Sequence, residues 1–314
     1  MVIAMKHIFI INPKSGKGRK AKMFAAAAEL YLKNHKLDGY VYRTTGPRDG
    51  MKHVEEVAKK GEPVRFYSCG GDGSLYEVVN GCYKYPNCEV ANIPLGSGND
   101  FSRLFGRNTN IEDHVNGVPV KLDLIETANG EVSINECAMG VDSEVCAMQS
   151  DFKKIPFVSG TMAYTLAAVK AILNGKLTNH FKISIDGELY DDDDYLFCYV
   201  GNSRWYGGGY CAAPEAMPND GLIECVMVKF PKELMGSNPL QLIPLLGRYK
   251  KGEHVEWDFT TIKKCKHVKV ESPQPAAVNV DGECDYVTER EFQMRENAIT
   301  FVVHRGSQFL DMIK

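Results

Sequence analysis

The chain carries no C-x-x-C pair, no short Cys/His cluster and no H-E-x-x-H, although it holds ten cysteines and eight histidines. These spacings argue against the common zinc frameworks, and they read the cysteines as reduced thiols of a cytosolic protein instead of a disulfide scaffold. No apolar run approaches the ~20 residues that span a bilayer. The opening MVIAMKHIFIINP is cut by Lys6 and His7, so it reads as a first strand and not as a signal peptide. Internal repeats and low-complexity tracts are absent. The net charge of −3 and a pI near 6.3 argue against a general nucleic-acid binder. What remains is an ordinary globular composition, 44% hydrophobic and 25% charged. At about 150 residues per domain, the length predicts two domains, each able to bury a core without staples.

The charge is unevenly placed. Residues 1–50 hold seven Lys and three Arg against three acids, and five of those cations are Lys14, Lys17, Arg19, Lys20 and Lys22. The run fits either a solvated helix start or a positive surface for phosphate or anionic lipid.

The first 125 residues alternate strand and helix patterns. Strands are expected at 7–11, 40–43, 64–68 and 90–94. Helices are expected at 20–33, 51–60 and 74–83, with a short one near 101–104. In the first helix the larger apolars Met23, Leu30 and Tyr31 fall at helical spacing. This rhythm predicts a doubly wound α/β domain, a parallel sheet with helices on both faces. Beyond residue 125 the pattern changes. A long helix is expected over 158–174, an interrupted one over 233–250, and strands at 181–185, 195–200, 222–228, 267–270, 277–280 and 298–303. Such spacing predicts a β-sandwich-like second domain. The run Asp191–Asp194 reads as a solvated turn between two strands.

Three glycine-rich loops carry the chemistry. Cys69-Gly70-Gly71-Asp72-Gly73-Ser74-Leu75 follows an apolar strand and opens a helix. Asn12-Pro13-Lys14-Ser15-Gly16-Lys17-Gly18 and Pro94-Leu95-Gly96-Ser97-Gly98-Asn99-Asp100 sit at the same kind of junction. A parallel sheet gathers such junctions on one edge, where helix N-termini favour phosphate. Asp72 cannot bind that phosphate directly. It suits a position beside an intervening cation or an oriented hydroxyl, or else it simply caps the helix. GxxxxGK[ST] is absent and GxGxxG fails at Gly71. Downstream, VNVDGE (278–283) sets Asp281 and Glu283 two residues apart. Either could be a general base, and a DG hairpin turn with a solvent-facing Glu is the structural alternative. PNDG (218–221) reads as a turn able to present oxygens to a hard cation.

NPKSGKG, CGGDGSLYEVVNG, IPLGSGNDFSR, VGNSRWYGGGYCAAPEAMPNDGLIE and VNVDGE together resemble the diacylglycerol kinase catalytic-domain family, in its small soluble bacterial branch. GGDG alone is shared with NAD kinases and phosphofructokinases; the ordered set is specific and covers nearly the whole chain. The resemblance implies a nucleotide-binding domain (residues 1–125 with a tail near 304–314), a β-rich lipid-substrate domain (126–303) and an active site in the cleft. It implies that Asn12, Pro13, Lys14, Ser15, Gly16, Thr45, Gly71, Asp72, Gly73, Ser74, Leu75, Tyr76, Glu77 and Ser97 line an ATP site. Asp72, Asp100, Asp123 and Asp281 would form a water- and magnesium-linked acidic network, with catalysis assigned to Asp281, Glu283 and Asp72. Asp220 with the carbonyls of Met217 and Leu222 would hold a second, structural magnesium. Ser74 and Ser97 stand where the family more often has Thr, and Tyr76 where it has Asn. Asp123 is followed by Leu-Ile where a Gly one residue later is common.

The implied activity is ATP- and magnesium-dependent phosphorylation of a membrane lipid alcohol such as diacylglycerol, by a cytoplasmic protein touching the membrane peripherally. An NAD kinase-like enzyme and a nucleotide-binding regulator without catalysis are the alternatives. A homodimer is one state the sequence leaves open.

Overall fold

The computed structural model describes residues 5–152, 160–174, 177–231, 241 and 243–313. The chain forms two compact units, Met1–Leu122 with Asn297–Lys314, and Asp123–Glu296.

The first unit runs β1 (Lys6–Ile11), α1 (Arg19–His35), β2 (Gly39–Arg43), α2 (Asp49–Ala58), β3 (Val64–Gly70), α3 (Asp72–Cys82), β4 (Cys88–Pro94), α4 (Ser102–Phe105) and α5 (Ile111–Val115). Its strands lie in the order β2-β1-β3-β4, all parallel. Alternation along β1 explains the two helical layers. Phe9 and Ile11 face a core built with Ala21, Phe24, Ala25, Ala28 and Leu32 of α1. A Cβ placed on Gly50, in the first turn of α2, would touch Ile10 at 3.4 Å. The buried positions of α1 therefore repeat at i, i+3, i+4, i+7 and i+11. This corrects the expected face: Met23 and Leu30 are 64% and 57% exposed. Small alanines let the helix approach the sheet, and the bulky side chains point away.

The second unit follows as β5 (Val118–Thr127), which carries the chain across, then β6 (Val132–Ser133), β7 (Glu136–Gly140), α6 (Val141–Phe152), α7 (Gly160–Asn174), β8 (Asn179–Ile185), β9 (Glu188–Gly201), β10 (Trp205–Tyr206), β11 (Tyr210–Cys211), β12 (Ile223–Lys229), α8 (Ile243–Lys250), β13 (Thr260–Cys265), β14 (His267–Val280) and β15 (Glu283–Val303). The end of β15 returns to the first unit, where Thr300 and Phe301 pair in parallel with β4, before α9 (Phe309–Met312). Within the second unit the pairing is antiparallel, β13-β12-β9-β7-β14-β15, with β8 against both β9 and β14. Tyr164, Ala167, Ala168 and Ala171 of α7 pack into one core with Ala138, Tyr199, Val226 and Val228 of β7, β9 and β12.

Helix α6 has no counterpart in the sequence reading. Residues 158–159, 233–240 and 242, Pro239 among them, lie outside the described residues. Pro244 sits in the first turn of α8, where its missing N–H has no partner to lose. The Asp191–Asp194 run is not a turn. It lies inside β9, whose hairpin to β8 turns instead at Asp186 and Gly187, with φ of 50° and 86°. Strand alternation splits the four acids. Asp191 and Asp193 meet Lys229 at 2.6 and 2.7 Å, while Asp192 and Asp194 each lie 2.9 Å from His180.

Candidate functional site

In the first unit the three loops meet at the carboxyl ends of β1, β3 and β4. The Asn12 amide donates to the Cys69 carbonyl at 3.3 Å, and the Leu95 and Gly96 amides donate to the Gly70 carbonyl at 2.8 and 2.9 Å. The loops touch backbone to backbone. A Cβ on Gly96 would stand 2.5 Å from the Cα of Gly71, and one on Gly70 would overlap Ser74 and reach Ser15 Oγ at 3.4 Å. Gly73 is different, since nothing lies within 4 Å of its missing Cβ. The glycines at 70, 71 and 96 thus hold loop against loop, and the open space is at Gly73.

Asp72 occupies the first turn of α3, with Gly71 as the N-cap residue. Its Oδ1 accepts the Asp100 amide at 2.8 Å and the Phe101 amide at 3.4 Å. The carboxylate therefore fastens the third loop to the second. Asp100 is buried and pairs with Arg103 Nε at 2.9 Å. Asn99, at φ +52°, locks its own loop: Oδ1 accepts the Gly96 amide and Nδ2 donates to the Gly96 carbonyl. Asn12 Oδ1 accepts the Lys14 amide at 3.0 Å, Ser15 is buried, and Pro13 and Ser97 are exposed.

Other residues of the expected ATP site take different positions. Leu75 and Tyr76 are each 1% exposed, so their side chains belong to the core and only their backbones are available to a nucleotide. Glu77 accepts the Arg48 and Met51 amides at 2.9 and 3.3 Å, holding the N-terminus of α2. The Thr45 amide and hydroxyl donate to Asp49 Oδ2 at 2.7 and 3.0 Å, in the loop that leaves β2.

In the second unit VNVDGE is a two-residue hairpin turn. Asp281 and Gly282 have φ of 48° and 98°, and Val280 pairs with Glu283. The Glu283 side chain is exposed, but that of Asp281 turns inward. Its Oδ1 accepts the Ser133 hydroxyl at 2.6 Å and the Asn135 and Glu136 amides at 3.1 and 3.0 Å; Oδ2 accepts the Ile134 amide at 2.9 Å. Burial pushes this carboxyl above its ordinary range, against the pull of those donors. Asn279 braces the turn, accepting the Gly282 amide and donating to Glu136 Oε1, both at 2.7 Å. Sequence reading missed Ser133, Glu136 and Asn279 as supports of this turn. A contact spanning roughly 145 positions leaves no periodic signal.

Asp123 organises the PNDG turn: its amide donates to the Pro218 carbonyl at 2.7 Å and its Oδ2 accepts the Gly221 amide at 2.8 Å. Asp220 accepts the Leu222 amide at 3.0 Å and lies 3.6 Å from Lys264 Nζ, and the Met217 carbonyl accepts the Asp220 amide at 3.4 Å. Among the described residues no group of three or more His, Cys, Asp or Glu side chains is placed to hold a metal ion. A cation at this turn would have to rely on carbonyl oxygens beside Asp220, a donor set that suits magnesium.

A second carboxyl is buried nearby in the same unit. Asp142, at the start of α6, is 5% exposed; its Oδ1 accepts the Tyr164 and Tyr206 hydroxyls and its Oδ2 has no partner. Burial raises it to about 6, and burial likewise raises Glu224 to about 7. Between its unfolded and folded pKa such a group binds more protons in the native state. Its contribution is therefore complete below the unfolded value and is lost as pH climbs from about 4 toward 6 or 7. We expect wild-type stability in urea to fall between pH 4.5 and 7.5 by roughly 2 kcal/mol more than that of Asp142→Asn. Parallel pH profiles for the two proteins would rule this out.

The comparisons with known proteins agree with this layout. Residues 6–128 match the model of the diacylglycerol kinase catalytic domain, and residues 135–303 match the YegS C-terminal NAD kinase beta sandwich-like domain. A diacylglycerol kinase of Bacillus subtilis is 28% identical over 283 residues, 87% of this chain and 88% of its own. One from Staphylococcus carnosus is 28% identical, with 87% of each chain covered. A crystal structure of a candidate diacylglycerol kinase from Bacillus anthracis superposes with a TM-score of 0.73 at 23% identity, covering 96% and 97%. An NAD kinase from Archaeoglobus fulgidus in complex with ATP has a TM-score of 0.52 at 12% identity, covering 98% and 96%; at that distance only the fold is shared.

Proposed function

The chain belongs to the diacylglycerol kinase catalytic-domain family, and from that premise we propose an ATP- and magnesium-dependent kinase that phosphorylates the hydroxyl of a membrane lipid alcohol such as diacylglycerol. The observation that carries the reading is the meeting of three glycine-rich loops at the strand ends, with the helix α3 N-terminus and Asp72 among them. The loop amides and the α3 N-terminus bind the ATP phosphates, with room at Gly73. Asp72 and Asp100 would hold a magnesium ion through water, and the ion would supply neutralisation of the phosphate charge. Asp220 and the Met217 and Leu222 carbonyls would hold a second magnesium, which would stiffen their turn.

Asp281 accepts the proton of the lipid hydroxyl. Its raised proton affinity suits a base, and Oδ2 carries one hydrogen bond and so keeps a lone pair. Glu283, exposed beside it, orients the alcohol. Lipid is reached peripherally. Among the described residues no helix is long and apolar enough to cross a membrane. Lys14, Lys17, Arg19, Lys20 and Lys22 are exposed toward anionic headgroups. Helix α7 exposes Met162, Leu166 and Leu173 beside Lys170, a face suited to an interface with lipid.

The test is to incubate the purified protein with γ-labelled ATP, magnesium and lipid alcohols in mixed micelles, beside NAD. Label is expected in a lipid. Label in NAD alone would replace the lipid reading with the NAD kinase one, and ATP binding without transfer to any acceptor would favour a regulator. Glu283→Gln is expected to slow lipid phosphorylation by at least about tenfold while ATP affinity holds; full activity would remove Glu283 from the site.

A further inference from the structure

The first unit contains a cavity of about 760 Å³ that none of the roles above uses. Arg103, Arg107, Asn108, Thr109, His304 and Gln308 contribute to its lining, and no Asp or Glu does. In a chain of net charge −3, an acid-free wall with two guanidinium groups, side-chain amides and a hydroxyl is a selective arrangement. Its volume lies within the range of small-ligand sites. The cavity also adjoins the third glycine-rich loop. Arg107 donates to the Gly98 carbonyl at 2.5 Å, and Arg103 pairs with Asp100. We propose that this cavity binds a phosphate monoester, and that its occupant is sensed by the loop.

The chemistry follows from the lining. Guanidinium groups take phosphate oxygens in bidentate pairs, while Thr109 and Gln308 supply neutral donors; the Asn108 amide already donates to Asp113 at 2.9 Å. Arg107 cannot give the same N–H to the ligand and to the Gly98 carbonyl. The guanidinium has further N–H groups for a ligand, so an occupant pulls on the same side chain that positions the loop whose Asp100 amide is fastened to Asp72. Linkage then requires a nucleotide on that loop to change the affinity for the cavity ligand by the same factor as the reverse. That coupling rests on the nucleotide reading given above, whereas the cavity site does not.

Phenyl phosphate serves as a probe of free monoesters, and vesicles containing phosphatidic acid as a probe of lipid-borne ones. Calorimetry on the full chain is expected to detect phenyl phosphate binding that persists with ATP analogue present. Arg107→Ala should weaken it at least tenfold, and Thr109→Glu should do the same by adding a carboxylate. Both are exposed positions, so the fold should survive. Vesicle binding that depends on Arg107 while phenyl phosphate fails would identify the ligand as a lipid headgroup. Equal affinity of wild type and both variants for both probes, or binding of neither probe, would overturn the proposal. If the site binds but ATP affinity does not respond, the coupling alone falls.

A different observation assigns an internal water. Beside this cavity lies a chamber of about 10 Å³, lined in part by Asn92 and His114. The Asn92 Oδ1 and His114 Nδ1 atoms are both buried without a partner. Nε2 of His114 lies 2.9 Å from the Asn108 carbonyl and must carry the proton there, so Nδ1 is an acceptor. Burial holds this ring neutral, with its pKa lowered to about 4. Two unpartnered acceptors on residues that line a space the size of one water need two donated protons, which one water supplies. A high-resolution crystal structure should contain this water, and the ¹⁵N shifts of His114 should report the Nε2–H tautomer. A dry chamber or the Nδ1–H tautomer would refute the assignment.

Discussion

Gly96→Ala is expected to weaken ATP binding by at least about a hundredfold and to lower thermal stability, while Gly73→Ala, which intrudes only on the phosphate space, is expected to weaken ATP binding with stability unchanged. A methyl group at Gly96 would stand 2.5 Å from the Gly71 Cα and 2.9 Å from both the Gly71 nitrogen and Asn99 Oδ1. Two of those three atoms are backbone and cannot swing away. Overpacking of this kind costs about 1–3 kcal/mol through local displacement. Here the displacement also pulls on the Gly96 amide bond to the Gly70 carbonyl and on the reciprocal pair with Asn99. The second and third loops would then separate at the point where phosphates are proposed to sit. Position 73 has open space, so its methyl meets no protein atom and takes up only room proposed for the phosphates. Binding of a fluorescent ATP analogue, with thermal unfolding alongside, checks the pair. Wild-type affinity in Gly96→Ala would show that the loop junction has no part in the nucleotide site.

The second large effect concerns Asp281. Asp281→Ala removes the acceptor of one hydroxyl and three backbone amides, and should lower the stability of the second unit by roughly 3 kcal/mol. Asp281→Asn behaves differently. Asparagine tolerates the φ of +48° and keeps an acceptor for three of the four donors, but its NH2 would face the Ile134 amide, so the turn should persist at a smaller cost than in the alanine variant. It cannot take a proton, and the proposed transfer should fall by about 10²–10⁴ with ATP affinity unchanged. Urea unfolding and the lipid phosphorylation assay, run on both variants, separate the two roles. An active Asp281→Asn would leave the residue as a turn anchor and move the base elsewhere.

Much of the first unit was legible because its signals are local. Apolar runs ending in glycine followed by helical patterns gave β1, β3 and β4 with their loops, and the parallel order gathers those loops on one edge by geometry alone. The errors were also local in origin. In α1 hydrophobicity pointed to Met23 and Leu30, but close packing onto the sheet selected alanines. In β9 four aspartates resembled a turn, because strand alternation gives each pair its own partner only once Lys229 and His180 are in place. The turn falls instead at Asp186–Gly187, both at positive φ.

The family, the glycine-rich loops and the residue types available for phosphate and magnesium chemistry were readable from short contiguous motifs. Only the tertiary structure decided what those residues touch. Asp72 fastens a neighbouring loop, Glu77 holds α2, and Asp281 is enclosed by donors from Ser133 to Glu136. The physical reason is that a carboxylate's role is set by the donors around it, and here those donors come from segments far away along the chain. The same holds for the glycines: their density was visible in CGGDGSL, but which of them separates two backbones and which leaves room for a ligand depended on the loop folded against them.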